Sequence, residues 1–148
     1  MRRRDVLRIL DANFNRSREG LRVCEEITRF VLEHKALTDG LKKARHDVSD
    51  SIKKLPLSLT ELVSARNVHS DVGRHPSKLE KNRRDSLALF LANAERAKES
   101  LRVLEETAKL LDERVSERFK KVRFKVYAIE KKALPKLEAL RHHGPCCR

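Results

Sequence analysis

Asn13 and Arg16 interrupt an otherwise apolar helical run, and the same pair returns eighty positions later as Asn93 and Arg96. On a wheel turning ~100° per residue, Asn13, Arg16 and Gly20 fall between Ile9, Cys24 and Ile27, and Asn93, Arg96 and Ser100 occupy the equivalent place. A guanidinium in an apolar arc needs a carboxylate or a bound anion, since breaking such a buried pair costs ~3–5 kcal/mol. Two arrangements fit. In one, Arg16 and Arg96 meet at a bundle centre and grip phosphate oxygens while the two amides read a polar ring. In the other, each arginine pairs with an internal carboxylate such as Glu19 or Glu99 and fixes helix register. Gly20 and Ser100, both small, let helices approach closely in either case.

Further candidates surround this pair. Arg45 and Arg123 border the apolar faces of their helices, where they either reach the same pocket or snorkel to the surface. His46 stands beside Arg45 and is a candidate for substrate binding or for packing. Asp71-Val72-Gly73, with Arg66, lies in the longest connection, where function concentrates. Asp71 is a candidate Mg²⁺ ligand and Gly73 a place for backbone amides to approach a phosphate, unless the segment is an ordinary Asp-x-Gly turn. Arg22, Glu25 and Glu26, with their twins Arg102, Glu105 and Glu106, fall on the polar side of the wheel and read as solvated charges. The tail at His142, His143, Cys146 and Cys147 has metal-ligand types without zinc spacing and is assigned no role. No P-loop, kinase glycine loop, nucleophile elbow or HExxH motif occurs.

The elements that must position these residues are helices. Apolar residues recur at helical spacing from Val6 to Leu32 and from Leu37 to Leu55, with Pro56 marking the second end. Periodicity fades between Pro56 and Pro76, where a short helix at Leu59 to Val63 opens the connection. Helical spacing resumes from about Lys78 to Leu111 and from Val115 to Leu140, where Pro135 is expected to bend or end the last helix.

The chain also aligns on itself. Leu21-Arg22-Val23-Cys24-Glu25-Glu26 reappears as Leu101-Arg102-Val103-Leu104-Glu105-Glu106, and Leu41-Lys42-Lys43-Ala44-Arg45 matches Phe119-Lys120-Lys121-Val122-Arg123. Duplicated helix pairs predict an all-α, pseudo-twofold four-helix bundle. One domain of residues 1–148 is expected, with repeat halves about 4–56 and 77–141, a connecting loop 57–76 and a C-terminal tail 142–148.

Composition agrees: 39% hydrophobic and 39% charged residues, with few Gly and Pro, suit amphipathic helices. The formal net charge of +13 attracts anions of any kind, nucleotides and nucleic acid included, or is simply a solvated basic surface. Inward-facing arginines weigh against nucleic acid. The cysteines form no disulfide framework, and no leader or span-length apolar run is seen, so a cytoplasmic protein with no membrane contact is expected.

The run Asp11-Ala12-Asn13-Phe14-Asn15-Arg16-Ser17-Arg18-Glu19-Gly20-Leu21-Arg22, then Ala44-Arg45-His46, Ser70-Asp71-Val72-Gly73, and Ala92-Asn93-Ala94-Glu95-Arg96 through Leu101-Arg102 resemble, in order, the small hydroxymethylpyrimidine phosphate kinases of thiamin biosynthesis. The resemblance covers about residues 4–130, and that family is often found fused ahead of thiamin phosphate synthase. This chain departs from it at Asn67, where an acid is usual, and at Arg74, where a small residue is usual.

The resemblance implies transfer of the γ-phosphoryl of ATP, with Mg²⁺, to 4-amino-5-hydroxymethyl-2-methylpyrimidine phosphate. The acceptor phosphate is already anionic, so no general base is needed, and catalysis reduces to positioning two phosphoryl groups and neutralising their repulsion. On that basis Arg16, Arg96, Arg45 and Arg66 are the catalytic candidates, Asn13, Asn93, Arg123, His46 and Gly73 the substrate-binding ones, and Asp71 and Glu19 the metal ligands. A non-catalytic helical module partnering thiamin phosphate synthase is the alternative, and a homodimer stays open.

Overall fold

The computed structural model describes residues 1–69, 72–73 and 82–143. They form α1 (Arg3–Phe30), α2 (Lys35–Ile52), α3 (Leu59–Ser64), α4 (Ser86–Ala108) and α5 (Glu113–His143), with no strand among the described residues. The fold is all-α, as the apolar spacing predicts.

Local chemistry sets the helix ends. The α1–α2 turn passes through Glu33 in the left-handed region (φ 48°), and the His34 side chain then caps α2 by accepting the Leu37 N–H at 3.3 Å. A capping box opens α3, Ser58 accepting from the Glu61 N–H while Glu61 accepts from the Ser58 N–H. Asp85 caps α4 by accepting the Ala88 N–H at 2.8 Å. That cap corrects the expected start near Lys78: residues 82–85 are not helical, because Asn82, Arg83 and Arg84 offer no apolar face to bury. Residues 78–81 lie outside the described residues. Pro135 does not end the last helix, which continues to His143 with Ala133 and Leu137 buried on either side of the missing N–H.

Specific contacts fix the topology. Cys24 Sγ donates to the Phe90 carbonyl at 3.5 Å, the Thr38 hydroxyl to that of Thr28 at 3.1 Å, and Lys125 to the Asp47 carboxylate at 2.7 Å. Neighbouring helices therefore run antiparallel, with α1 packed on α4 and α2 on α5 as the two hairpins close on one another. Leu62 and Ala65 seat α3 against the N-terminal half of α1, whereas α4 begins beside the C-terminal half of α1. The connection between them, residues 65–85, is the longest in the chain. A core of Leu10, Leu21, Cys24, Leu41, Val48, Ala97, Leu101, Leu104, Phe119 and Val126 fills the centre.

Candidate functional site

The seam between α1 and α4 is lined by small and apolar groups, and the expected central pair of arginines is not there. Arg96 is exposed and Arg16 only half-buried. The Asn13 and Asn93 Nδ2 groups each donate 2.9 Å to a carbonyl of their own helix, Ile9 and Leu89. The reason lies in the two neighbours of α1, which buries one flank on α4 and another on α2. The middle of its buried arc is therefore Leu10, Ser17, Leu21 and Cys24, which leaves Arg16 at the margin. Among the described residues Arg16 and Arg96 make no ion pair with Glu19 or Glu99 either, and both carboxylates are exposed.

The buried charges are others. Glu25 and Glu105, read from the wheel as solvated, are each only 3% exposed. Arg45 Nε donates to Glu25 at 2.9 Å and Arg123 Nε to Glu105 at 3.0 Å, while Arg22 and Arg102 add contacts at 3.2 and 2.8 Å from the adjacent turn. Two of the catalytic and substrate-binding candidates, Arg45 and Arg123, are thus half-buried struts that tie each hairpin together. A signal for this was present in the sequence: the same Glu and the same Arg recur at matched places in both halves, each able to satisfy the other.

A cavity of about 450 Å³ opens instead on the outer side of α1, against the start of the connecting segment. Asp5, Arg8, Ile9, Ala12, Asn13, Asn15 and Arg16 form one wall, and Arg66, Asn67 and Val68 from the segment after α3 form the other. Arg66 is brought here because Leu62 and Ala65 anchor α3, after which Arg66 turns back through its N–H to the Val63 carbonyl at 3.0 Å. Its Nε and Nη2 each donate 2.7 Å to the two oxygens of buried Asp11, a bidentate pair that raises the guanidinium pKa. Asn15 donates to the Asp11 carbonyl at 2.9 Å and to its carboxylate at 3.3 Å. Sequence reasoning missed Asp11, which has Leu91 as its counterpart in the second half.

Three cations and two acids line this cavity, and both acids are paired, Asp11 with Arg66 and Asp5 with Arg2 at 3.0 Å. The Arg16 guanidinium has no hydrogen bond or ion pair among the described residues. A half-buried guanidinium without a protein acceptor, beside an amide and a second arginine held in place, suits a phosphate. Cys24 is no nucleophile, because burial pushes its thiol up to about 12. Three expected site residues, Arg16, Arg66 and Asn13, share the cavity. Asn93, Arg96 and His46 are elsewhere, Glu19 is exposed and outside the wall, and Gly73 is in an exposed turn. Asp71 lies outside the described residues. Among those residues no group of three His, Cys, Asp or Glu could by itself hold a metal ion.

A protein-family model, that of the ThiD2 family, matches residues 8–132. The chain belongs to the ThiD2 family. It is 41% identical over 126 residues to a thiamine-phosphate synthase of Synechocystis, covering 84% of this chain and 35% of that protein. A Rhodopirellula baltica thiamine-phosphate synthase is 37% identical over 126 residues, covering 84% of this chain and 33% of its own length. A Thermosynechococcus vestitus thiamine-phosphate synthase is 41% identical over 126 residues, covering 83% and 34%. This ThiD2 chain thus spans about a third of the length of these curated relatives. No solved structure matches it. No helix among the described residues is long and apolar enough to cross a membrane.

Proposed function

We propose that this ThiD2 chain acts in thiamin biosynthesis as a phosphotransferase that moves the γ-phosphoryl of ATP onto hydroxymethylpyrimidine phosphate. The observation that carries this is Arg16, unpaired among the described residues, in a cavity wall with Asn13 and the Asp11-anchored Arg66. Phosphoryl transfer between two phosphates asks for cations that hold the anions in line and take up their charge, and needs no proton acceptor. Arg16 and Arg66 supply the charge, while Asn13 and Asn15 supply the polar edge that a pyrimidine ring requires.

Magnesium would arrive with the nucleotide, offsetting charge on the β- and γ-phosphates. In such sites it needs only one or two carboxylates besides phosphate oxygens and water. Asp5 in the cavity wall is a carboxylate of that kind, since its partner Arg2 is 85% exposed. Asp71, in the family-like Asp-Val-Gly, is the other proposed ligand.

A second proposal has its own observation. Phe124 and Tyr127 stand 6.0 Å apart on α5 and are 57% and 44% exposed, so the chain also has an apolar patch suited to a partner such as the synthase itself.

One assay separates the two proposals: conversion of ATP to ADP with the pyrimidine monophosphate as acceptor. Arg16→Ala is expected to abolish turnover and Arg96→Ala, at the surface, to leave it within about twofold, with both variants folded. No turnover by the parent protein would remove the kinase reading and leave the partner module, whereas unchanged turnover by Arg16→Ala would keep the activity and remove Arg16 from its site.

A further inference from the structure

Matched by sequence, the two halves carry a cation at one shared place, Arg18 in the first and Lys98 in the second. Lys98 is buried, and its ammonium donates to both oxygens of Glu130 at 3.0 and 2.7 Å and to Glu95. Its charge is closed off by protein. In the first half the residues matching Glu95 and Glu130 are Asn15 and Ile52, so neither carboxylate exists.

Arg18 accordingly lacks the partners that Lys98 has. Its guanidinium lies 5.2 Å from the centroid of the Phe14 ring, which holds its plane. Its Nε is shut off from solvent and has no hydrogen-bond acceptor among the described residues. Native proteins rarely leave a buried donor of a charged group without an acceptor unless a ligand provides one. One turn before it on α1, Asn15 lines the cavity of Arg16 and Arg66. Arg18 therefore stands one helical turn beyond that wall residue on α1, at the place where the second half pairs its cation with its own acids.

We propose that Arg18 is a second anion subsite, which takes the oxygens of a further phosphoryl group, and that the second half has become a strut whose equivalent subsite is permanently filled by Glu95 and Glu130. This deepens the phosphotransferase proposal, on which it rests, by assigning phosphate binding to the first half. The ligand class is a phosphate or diphosphate ester, from either the nucleotide or the pyrimidine phosphate.

The test is calorimetric titration of inorganic pyrophosphate into the parent protein, Arg18→Met, Arg18→Gln and Lys98→Met, each with its melting temperature measured without ligand. Both Arg18 variants are expected to melt at or above the parent and to bind pyrophosphate at least tenfold more weakly. Lys98→Met, which leaves Glu130 buried beside no cation, is expected to melt lower and to keep the parent affinity. Parent-like binding by both Arg18 variants, or no binding by the parent, overturns the subsite. Pyrophosphate binding without phosphoryl transfer leaves the subsite standing and removes the kinase reading instead. Titrating ADP and the pyrimidine monophosphate separately identifies the source: a tenfold loss confined to one assigns it, and no loss for either overturns the proposal.

Discussion

Arg66 grips both oxygens of Asp11 at 2.7 Å, and this pair joins the long connection to the outer face of α1. The acid is 6% exposed and the base 44%, so the pair matters more for where Arg66 points than for stability. Asp11→Asn keeps one neutral acceptor and loses the fork. The expected outcome is a fall of about ten- to a hundredfold in kcat/KM for the pyrimidine monophosphate with a loss of only about 1 kcal/mol in urea unfolding. Asp11→Leu copies Leu91 of the second half and is expected to fold as well as the parent while losing the same activity.

Glu25 and Glu105 are buried acids that each hold an arginine of the next helix, so their removal strands a guanidinium within its hairpin. Breaking a buried pair from one side costs ~3–5 kcal/mol, and Glu105→Ala is expected to lose that much by urea denaturation. Glu25→Ala is expected to lose a comparable amount, because its contacts are the same. A loss below about 1 kcal/mol in both would show these pairs to be surface-like and not struts.

Such pairs show where sequence reading succeeds and where it stops. Helix existence and the duplication were legible because Leu21, Leu101 and their neighbours repeat both type and spacing. Arg16 was misplaced because a single wheel has one buried side, whereas α1 has two, toward α4 and toward α2; Glu25 was misread for the same reason. Arg66 was picked out by its place in a connection, but its partner Asp11 was not, since an ion pair spanning fifty-five positions leaves no periodic trace. The start of α4 depends on the Asp85 cap, a local signal that the surrounding basic residues obscured.

Asp85 joins the start of α4 to α5, accepting the Ala88 N–H at 2.8 Å and the Arg141 Nε at 2.7 Å. The Ala88 N–H first, and Arg141 next, hold its carboxyl below the usual value. A depressed folded-state pKa stabilises above the unfolded value of about 3.9 and is lost as pH falls through the folded one. Asp85→Asn keeps an acceptor but has no charge to titrate. Its urea midpoint is expected to lie below that of the parent at pH 7, with the difference shrinking as pH falls below about 5 and gone only once pH has passed the depressed folded-state value. A difference independent of pH would mean that the cap acts through geometry alone.

Gly20 lies where α1 passes close to the backbone of α4. A Cβ there would stand 2.7 Å from the Asn93 carbonyl oxygen and 3.3 Å from the Ala97 nitrogen, both backbone atoms that can yield only if the helices part. Overpacking of that kind costs ~1–3 kcal/mol and outweighs the ~1 kcal/mol that alanine gains in a helix. Gly20→Ala is therefore expected to lower the urea midpoint. Gly40→Ala is the contrasting case, for its nearest neighbour is the flexible end of Ile129 at 3.2 Å, which can rotate away. Its midpoint is expected to stay level or rise. If Gly20→Ala were instead the more stable variant, the α1–α4 seam would be looser than these distances require, and closeness of the two halves would not explain the glycine.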